Sequence, residues 1–231
     1  MRRSILTLPL LLLTAPAGAE APRWPATYLG RVEATAVMQT LNASLLASRS
    51  ATATLEGWCG SHGMAVPARL SARLVPGADK PAEAATRERL RVGSEEPVRY
   101  RRVRLACGER VLSEADNWYV PARLTPEMNR LLETTDTPFG RAVQPLGPTR
   151  QTVSSEILWQ PLPEGWDQAA PPAPACEAQA IPDQLLRHRA VLFTASREPF
   201  SEVVETYTAA VLDFARAPRP ADPACAAPSP R

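Results

Sequence analysis

Residues 65–75 carry the tightest constraint in this chain. Val66, Ala68, Leu70, Ala72 and Leu74 fall in one phase, and Arg69, Ser71 and Arg73 in the other. A period of two over that length is the signature of a half-buried strand: one face packs on a core and the other meets water. Residues 98–107 (VRYRRVRLAC) are expected to be a second strand and 111–120 (VLSEADNWYV) a third with an irregular middle, joined at the turn Gly108-Glu109. Short connections of this kind make antiparallel neighbours. Residues 149–159 read as another strand, with Val153, Ile157 and Trp159 on one face. Residues 188–194 and 200–208 flank the turn Ala195-Ser196-Arg197-Glu198-Pro199 as a final hairpin.

Helical signals are fewer. Ala34, Met38, Leu41 and Leu45 within 31–47 recur at helical spacing,. Ser50 is placed to cap a short helix through Leu55, which Gly57 and Gly60 then end,. Thr125-Pro126-Glu127 opens a helix lasting to about Glu133, and Thr137-Pro138 repeats the signal for a turn through Val143,. Residues 76–97 and the Pro/Ala-rich 160–182 read as long connections, and 216–231 as a Pro-rich tail. The expected class is α+β, an antiparallel sheet of about six strands with short helices, in one domain spanning 20–231.

Arg2 and Arg3, the apolar run Ile5–Leu13 and the small residues Ala17-Gly18-Ala19 form the three parts of a secretory signal peptide, assigned to residues 1–19,. The expected location is therefore periplasmic or secreted, with no integral membrane segment after cleavage. The chain has 26 Lys+Arg against 24 Asp+Glu, and without Arg2 and Arg3 the charges balance. That balance argues against a nucleic-acid partner, which calls for a basic excess. Cys59, Cys107, Cys176 and Cys225 allow three pairings,. No spacing suits a metal, so no metal site is expected. Antiparallel pairing of 65–75 with 98–107 brings Val66 near Cys107 and Val75 near Val98, hence Cys59 close to Cys107. Cys176 and Cys225 bracket the final hairpin and form the other expected disulfide.

Arg101 shares the apolar phase of Val103, Leu105 and Cys107, so it is expected to point inward. A buried guanidinium requires an anion or several acceptors. Glu205 lies in phase with Val203 and Tyr207 and is expected inward too. The two either pair with each other or face a ligand bearing a carboxylate; in a dry pocket Glu205 gains a raised pKa and can act as an acid. Gly140 permits close backbone approach in Thr137-Pro-Phe-Gly-Arg141. Arg150 is out of phase with Val153 and Ile157 and faces solvent unless a bulge intervenes. Trp58, Trp118, Trp159 and Trp166 are expected to pack, and His62 and His188 lack a nucleophile at a useful spacing.

Residues from about 98 to 208 resemble the chorismate lyase family and the related ligand-binding domains of GntR-type regulators. The resemblance rests on Arg101-Arg102-Val103 with Gly108-Glu109, on Thr137-Pro138-Phe139-Gly140-Arg141, on Thr149-Arg150, and on Glu198-Pro199 followed by Val204-Glu205-Thr206-Tyr207. The Ser50-Ala51-Thr52 stretch resembles the family's short helix near the ligand. What this implies is an internal cavity for a small aromatic or cyclic carboxylate. Arg101 would hold the carboxylate and Glu205 would meet the far end of the ring. Phe139 and Gly140 would line the cavity, and Ala51 would supply a backbone contact. The Pro199-to-Glu205 spacing is one residue longer than the family's, which leaves Glu202 as a competitor. The implied roles are an exported binding protein, or a chorismate pyruvate-lyase using Arg101 and Glu205 without any cofactor. A structural domain with an Arg–Glu pair is the remaining alternative.

Overall fold

The structure is a computed structural model that describes residues 23–217 apart from 78, 173, 174 and 176. The expected signal peptide, the expected Cys176–Cys225 bond and most of the C-terminal tail lie outside the described residues.

Six antiparallel strands form one sheet in the order β1-β2-β3-β6-β5-β4. They are β1 (Leu70–Leu74), β2 (Arg99–Cys107), β3 (Arg110–Tyr119), β4 (Thr149–Ile157), β5 (Gln184–Phe193) and β6 (Pro199–Thr208). Five α-helices accompany them: α1 (Tyr28–Ala47), α2 (Ala51–Ser61), α3 (Ala84–Leu90), α4 (Pro126–Thr134) and α5 (Phe139–Ala142). The α+β class is thus the one read from strand alternation.

Helix α1 starts three residues before the apolar period does, because the Thr27 hydroxyl accepts from Gly30 N at 3.1 Å and fixes the first turn,. Ser50 caps α2 in the same way, accepting from Ala53 N at 3.2 Å. The expected end of α2 at Gly57 is corrected, since the helix runs on through Gly57 and Gly60. Leu55, Trp58 and Cys59 are buried along one face. Their burial, at ~2 kcal/mol for each large side chain, outweighs the cost of about 1 kcal/mol per glycine. Cys59 bonds to Cys107, with 6.2 Å between their Cα atoms, and this disulfide ties α2 to the end of β2.

The predicted register of the first strand pair is corrected by about four residues. Leu70, not Val66, lies opposite Cys107, and Val66 is 98% exposed. Pro67 has no N–H to give a ladder, so the paired strand begins beyond it. The connection 76–97 holds α3, which lies against β6 and was not expected.

The sheet has two different faces. Its inner face carries the main core, to which α1 gives Met38, Leu41 and Leu45, α2 gives Leu55 and Trp58, and α4 gives Met128 and Leu132. The outer face carries a small cluster of Leu90, Trp118 and Val120 under α3. Trp58 and Trp118 pack as expected, whereas Trp166 is left exposed. No described helix is long and apolar enough to cross a membrane.

A cavity with an unpaired arginine

Between the inner face and the N-terminal ends of α2 and α5 lies a cavity of about 50 Å³. All five residues singled out from the sequence line it: Ala51, Arg101, Phe139, Gly140 and Glu205. Gly140 is required there. A Cβ at that position would come within 2.9 Å of Thr52 Oγ1 and 3.2 Å of Ser50 Oγ, so glycine lets the start of α5 lie against the start of α2,. The Phe139 ring stacks on Phe200 at 6.3 Å and meets Tyr119 at 5.8 Å, closing one wall.

Arg101 is 5% exposed. Its Nε donates to Leu132 O and its Nη2 to Thr137 O, both at 3.0 Å. Leu132 belongs to the last turn of α4, whose carbonyls lack helical partners and carry the negative end of the helix dipole. The third edge, Nη1, has no hydrogen-bond partner among the described residues. Among the described residues no carboxylate pairs with this guanidinium, and burial pulls its pKa down to about 10,. A charge held this way is underpaid in hydrogen bonds and disfavoured by its surroundings.

Glu205 does not answer Arg101. Its Oε2 accepts from Arg150 Nη2 at 2.7 Å and from the Tyr207 hydroxyl at 3.1 Å. The expectation that Arg150 faces solvent is corrected: its side chain is 3% exposed and lines the cavity. The cause is a bulge in β4. Thr152 pairs with Ala190 and Ser154 with Arg189, leaving Val153 unpaired. Phase counted back from Ile157 is therefore off by one at Arg150. Burial, with Glu205 next, drives the Tyr207 hydroxyl pKa well above its ordinary value.

The competition between Glu205 and Glu202 is settled by a second bulge. Phe193 pairs with Pro199 and Leu192 with Ser201, so Phe200 is skipped and Glu205 keeps the inner phase. Glu202 is on the outer face. It is fully buried under α3 and held by Arg89 at 2.6 Å, by Arg189 and by the Thr86 hydroxyl. Burial raises its pKa, and the two arginines more than reverse this, leaving it lowered.

Two further buried groups were missed in the sequence. Asn117 lines the cavity, 3% exposed, directly opposite Arg101 across the β2–β3 pair. Its Nδ2 donates to Ser201 Oγ at 2.9 Å, and its Oδ1 has no partner among the described residues. The available signal was its even spacing from Ser113 and Ala115 on the inner phase. His188 is fully buried, with Nε2 2.8 Å from Asn42 Oδ1 and its ring edge-on to Tyr207 at 5.2 Å. Burial, with the Arg150 charge behind it, pulls its pKa down to about 4. Among the described residues no group of His, Cys, Asp and Glu has the arrangement of a metal site.

Fold and site together define an antiparallel α+β domain with a small, cation-lined cavity beneath its helices. No family model matches the sequence. The chain is 54% identical over 204 residues to the uncharacterized protein y4mC of Sinorhizobium fredii (strain NBRC 101917 / NGR234), covering 87% of this chain and 86% of that protein; it belongs to the family of y4mC. Among solved structures it is similar to the effector domain of PhnF from Mycobacterium smegmatis, at 16% identity and a TM-score of 0.42, over 69% of this chain and 88% of that one. It is similar also to a GntR-family transcriptional regulator from Enterococcus faecalis V583, at 14% identity and a TM-score of 0.37, over 64% and 100% of the two chains. These likenesses concern the fold alone. The expected periplasmic or secreted location finds no support in these comparisons and is withdrawn.

Proposed function

We propose that this protein binds a small carboxylate in the cavity, with Arg101 as the group that holds the anion. The observation that carries the proposal is the free Nη1 edge of a buried arginine that has no acidic partner. A carboxylate oxygen placed there supplies the missing acceptor and the missing negative charge at once. The neighbouring charges favour the same ligand. Arg49, Arg101 and Arg150 against Glu205 leave the cavity lining with two net positive charges. The cavity holds about four water-sized bodies,. That suits an acid of roughly three carbons, and a ring acid enters only if the wall at Phe139 gives way.

Isothermal titration calorimetry with propionate and benzoate tests this on the wild-type chain and on Arg101→Gln. Saturable binding that is lost in a folded Arg101→Gln supports the proposal. Equal binding by both chains would refute it.

A specific observation favours a second reading, a structural domain built around a buried Arg–Glu pair. Glu205 is already satisfied by Arg150 and Tyr207, and the space is small. Under that reading no acid binds. A lyase reading adds chemistry to the first: Arg101 holds the chorismate carboxylate and Glu205 assists proton transfer as pyruvate leaves. Incubation with chorismate, followed by assay of 4-hydroxybenzoate and pyruvate, decides it. Equal amounts of both products establish the reaction, and no product removes it.

A further inference from the structure

We infer that the cavity selects 2-hydroxy acids, with Asn117 as the residue that reads the hydroxyl. The inference rests on the carboxylate proposal and names the ligand class within it. Arg101 and Asn117 are paired residues on neighbouring antiparallel strands, so their side chains leave the sheet side by side on its inner face,. Each keeps one buried polar atom without a partner: a donor, Arg101 Nη1, and an acceptor, Asn117 Oδ1. Native proteins pair the great majority of such atoms, so two orphans side by side on one cavity wall specify a complementary ligand. The ligand must present an acceptor anion and, on the same side of the sheet, a donor.

Two donors fit that description, a hydroxyl and an ammonium. The charges on the wall choose between them. With Arg49, Arg101 and Arg150 lining the same cavity and only Glu205 opposing them, a further cation is repelled,. Glu205 cannot attract it strongly, because Arg150 and Tyr207 already occupy one of its oxygens. A neutral hydroxyl meets no such opposition. Ser201 holds the Asn117 amide through Nδ2 and so turns Oδ1 away from β6. Its role is to position Asn117.

The test is calorimetry with four acids of nearly equal size: lactate, propionate, pyruvate and alanine. The wild-type chain is expected to bind lactate about tenfold more tightly than propionate, the contribution of one buried hydrogen bond. Alanine is expected to be the weakest. Asn117→Ala should abolish the preference for lactate, so that lactate and propionate bind alike. Ser201→Ala, which keeps the acceptor but frees the amide to turn, should reduce the preference without abolishing it. Propionate binding as tightly as lactate overturns the inference and leaves the carboxylate proposal standing. A preference for pyruvate overturns it as well, since the amide would then present its NH₂. A lactate preference that survives Asn117→Ala removes Asn117 from the reading. Failure of all four acids to bind refutes the carboxylate proposal and this inference with it.

Discussion

Replacing Glu205 by Gln is the sharpest probe of how charge is arranged in this molecule. The carboxylate is Arg150's acid partner, at 2.7 Å, and both side chains are almost wholly buried, 3% and 8% exposed. Two unit charges about 4 Å apart interact by ~4 kcal/mol at an effective dielectric of 20. Removing one member of a buried pair typically costs 3–5 kcal/mol, because the other stays charged and unpaired. Glutamine keeps the shape and an acceptor for Tyr207, so about 3 kcal/mol is the expected loss. That is a large fraction of the ~5–15 kcal/mol that holds a domain together. Urea unfolding at pH 7 measures it, with an unchanged m-value showing that the same surface is exposed. The double variant Arg150→Met/Glu205→Gln should recover most of the loss, giving a coupling of ~2–3 kcal/mol. With Arg49, Arg101 and Arg150 lining the cavity and no carboxylate among its lining residues, Glu205→Gln should also be stabilised by added lactate or propionate more than the wild-type chain is,. A loss under 1 kcal/mol, or a double variant costing the sum of the singles, would refute the reasoning.

Three other outcomes follow from the same structure. His188 has its pKa lowered to about 4 in the folded chain, so below about 6.5 the unfolded chain takes up a proton that the folded chain refuses. Stability should therefore fall by up to ~3 kcal/mol as the pH drops from 6.5 towards 4, and His188→Phe should flatten that stretch of the stability–pH curve. Reducing the Cys59–Cys107 bond, or replacing both cysteines by Ser, releases a loop with a sequence separation of 48. It should cost about 4 kcal/mol by loop entropy, read as a lower urea midpoint. Gly140→Ala sets a methyl against Thr52 Oγ1 and should cost ~1–2 kcal/mol and weaken acid binding, with Thr52→Ala restoring both,.

Much of the fold was legible because its strands are half-buried and short-looped. The apolar phases of Val103, Leu105 and Cys107 and of Val203 and Tyr207 located β2 and β6, and capping residues placed α2 and α4 within a residue at their starts. The failures were of a different physical kind. Gly57 and Gly60 have low helix propensity and lie on the exposed side, yet the opposite face, with Leu55, Trp58 and Cys59, packs on the core, and tertiary burial overrode the local preference. Helix α3 was hidden because it is seven residues long and anchored by ions rather than an apolar stripe. Its Arg89 and Thr86 reach Glu202, a partner more than a hundred residues away. Nothing local in 84–90 announces that contact.

The chemistry of the cavity turns on two single-residue bulges. Without the one at Val153, Arg150 would face solvent and Glu205 would lose its cationic partner. Without the one at Phe200, the extra residue in β6 would swing Glu205 outward. Each bulge shifts the phase of a strand by one, and in a period-two structure that exchanges the inner and outer sets of side chains. Residue types and spacing alone therefore brought Arg101 and Glu205 to one cavity but left Arg150, the partner of Glu205, on the wrong face. Once Arg150 takes Glu205, Arg101 is the cation left over, and Asn117 beside it is the acceptor left over. The ligand class follows from those two remainders rather than from any motif.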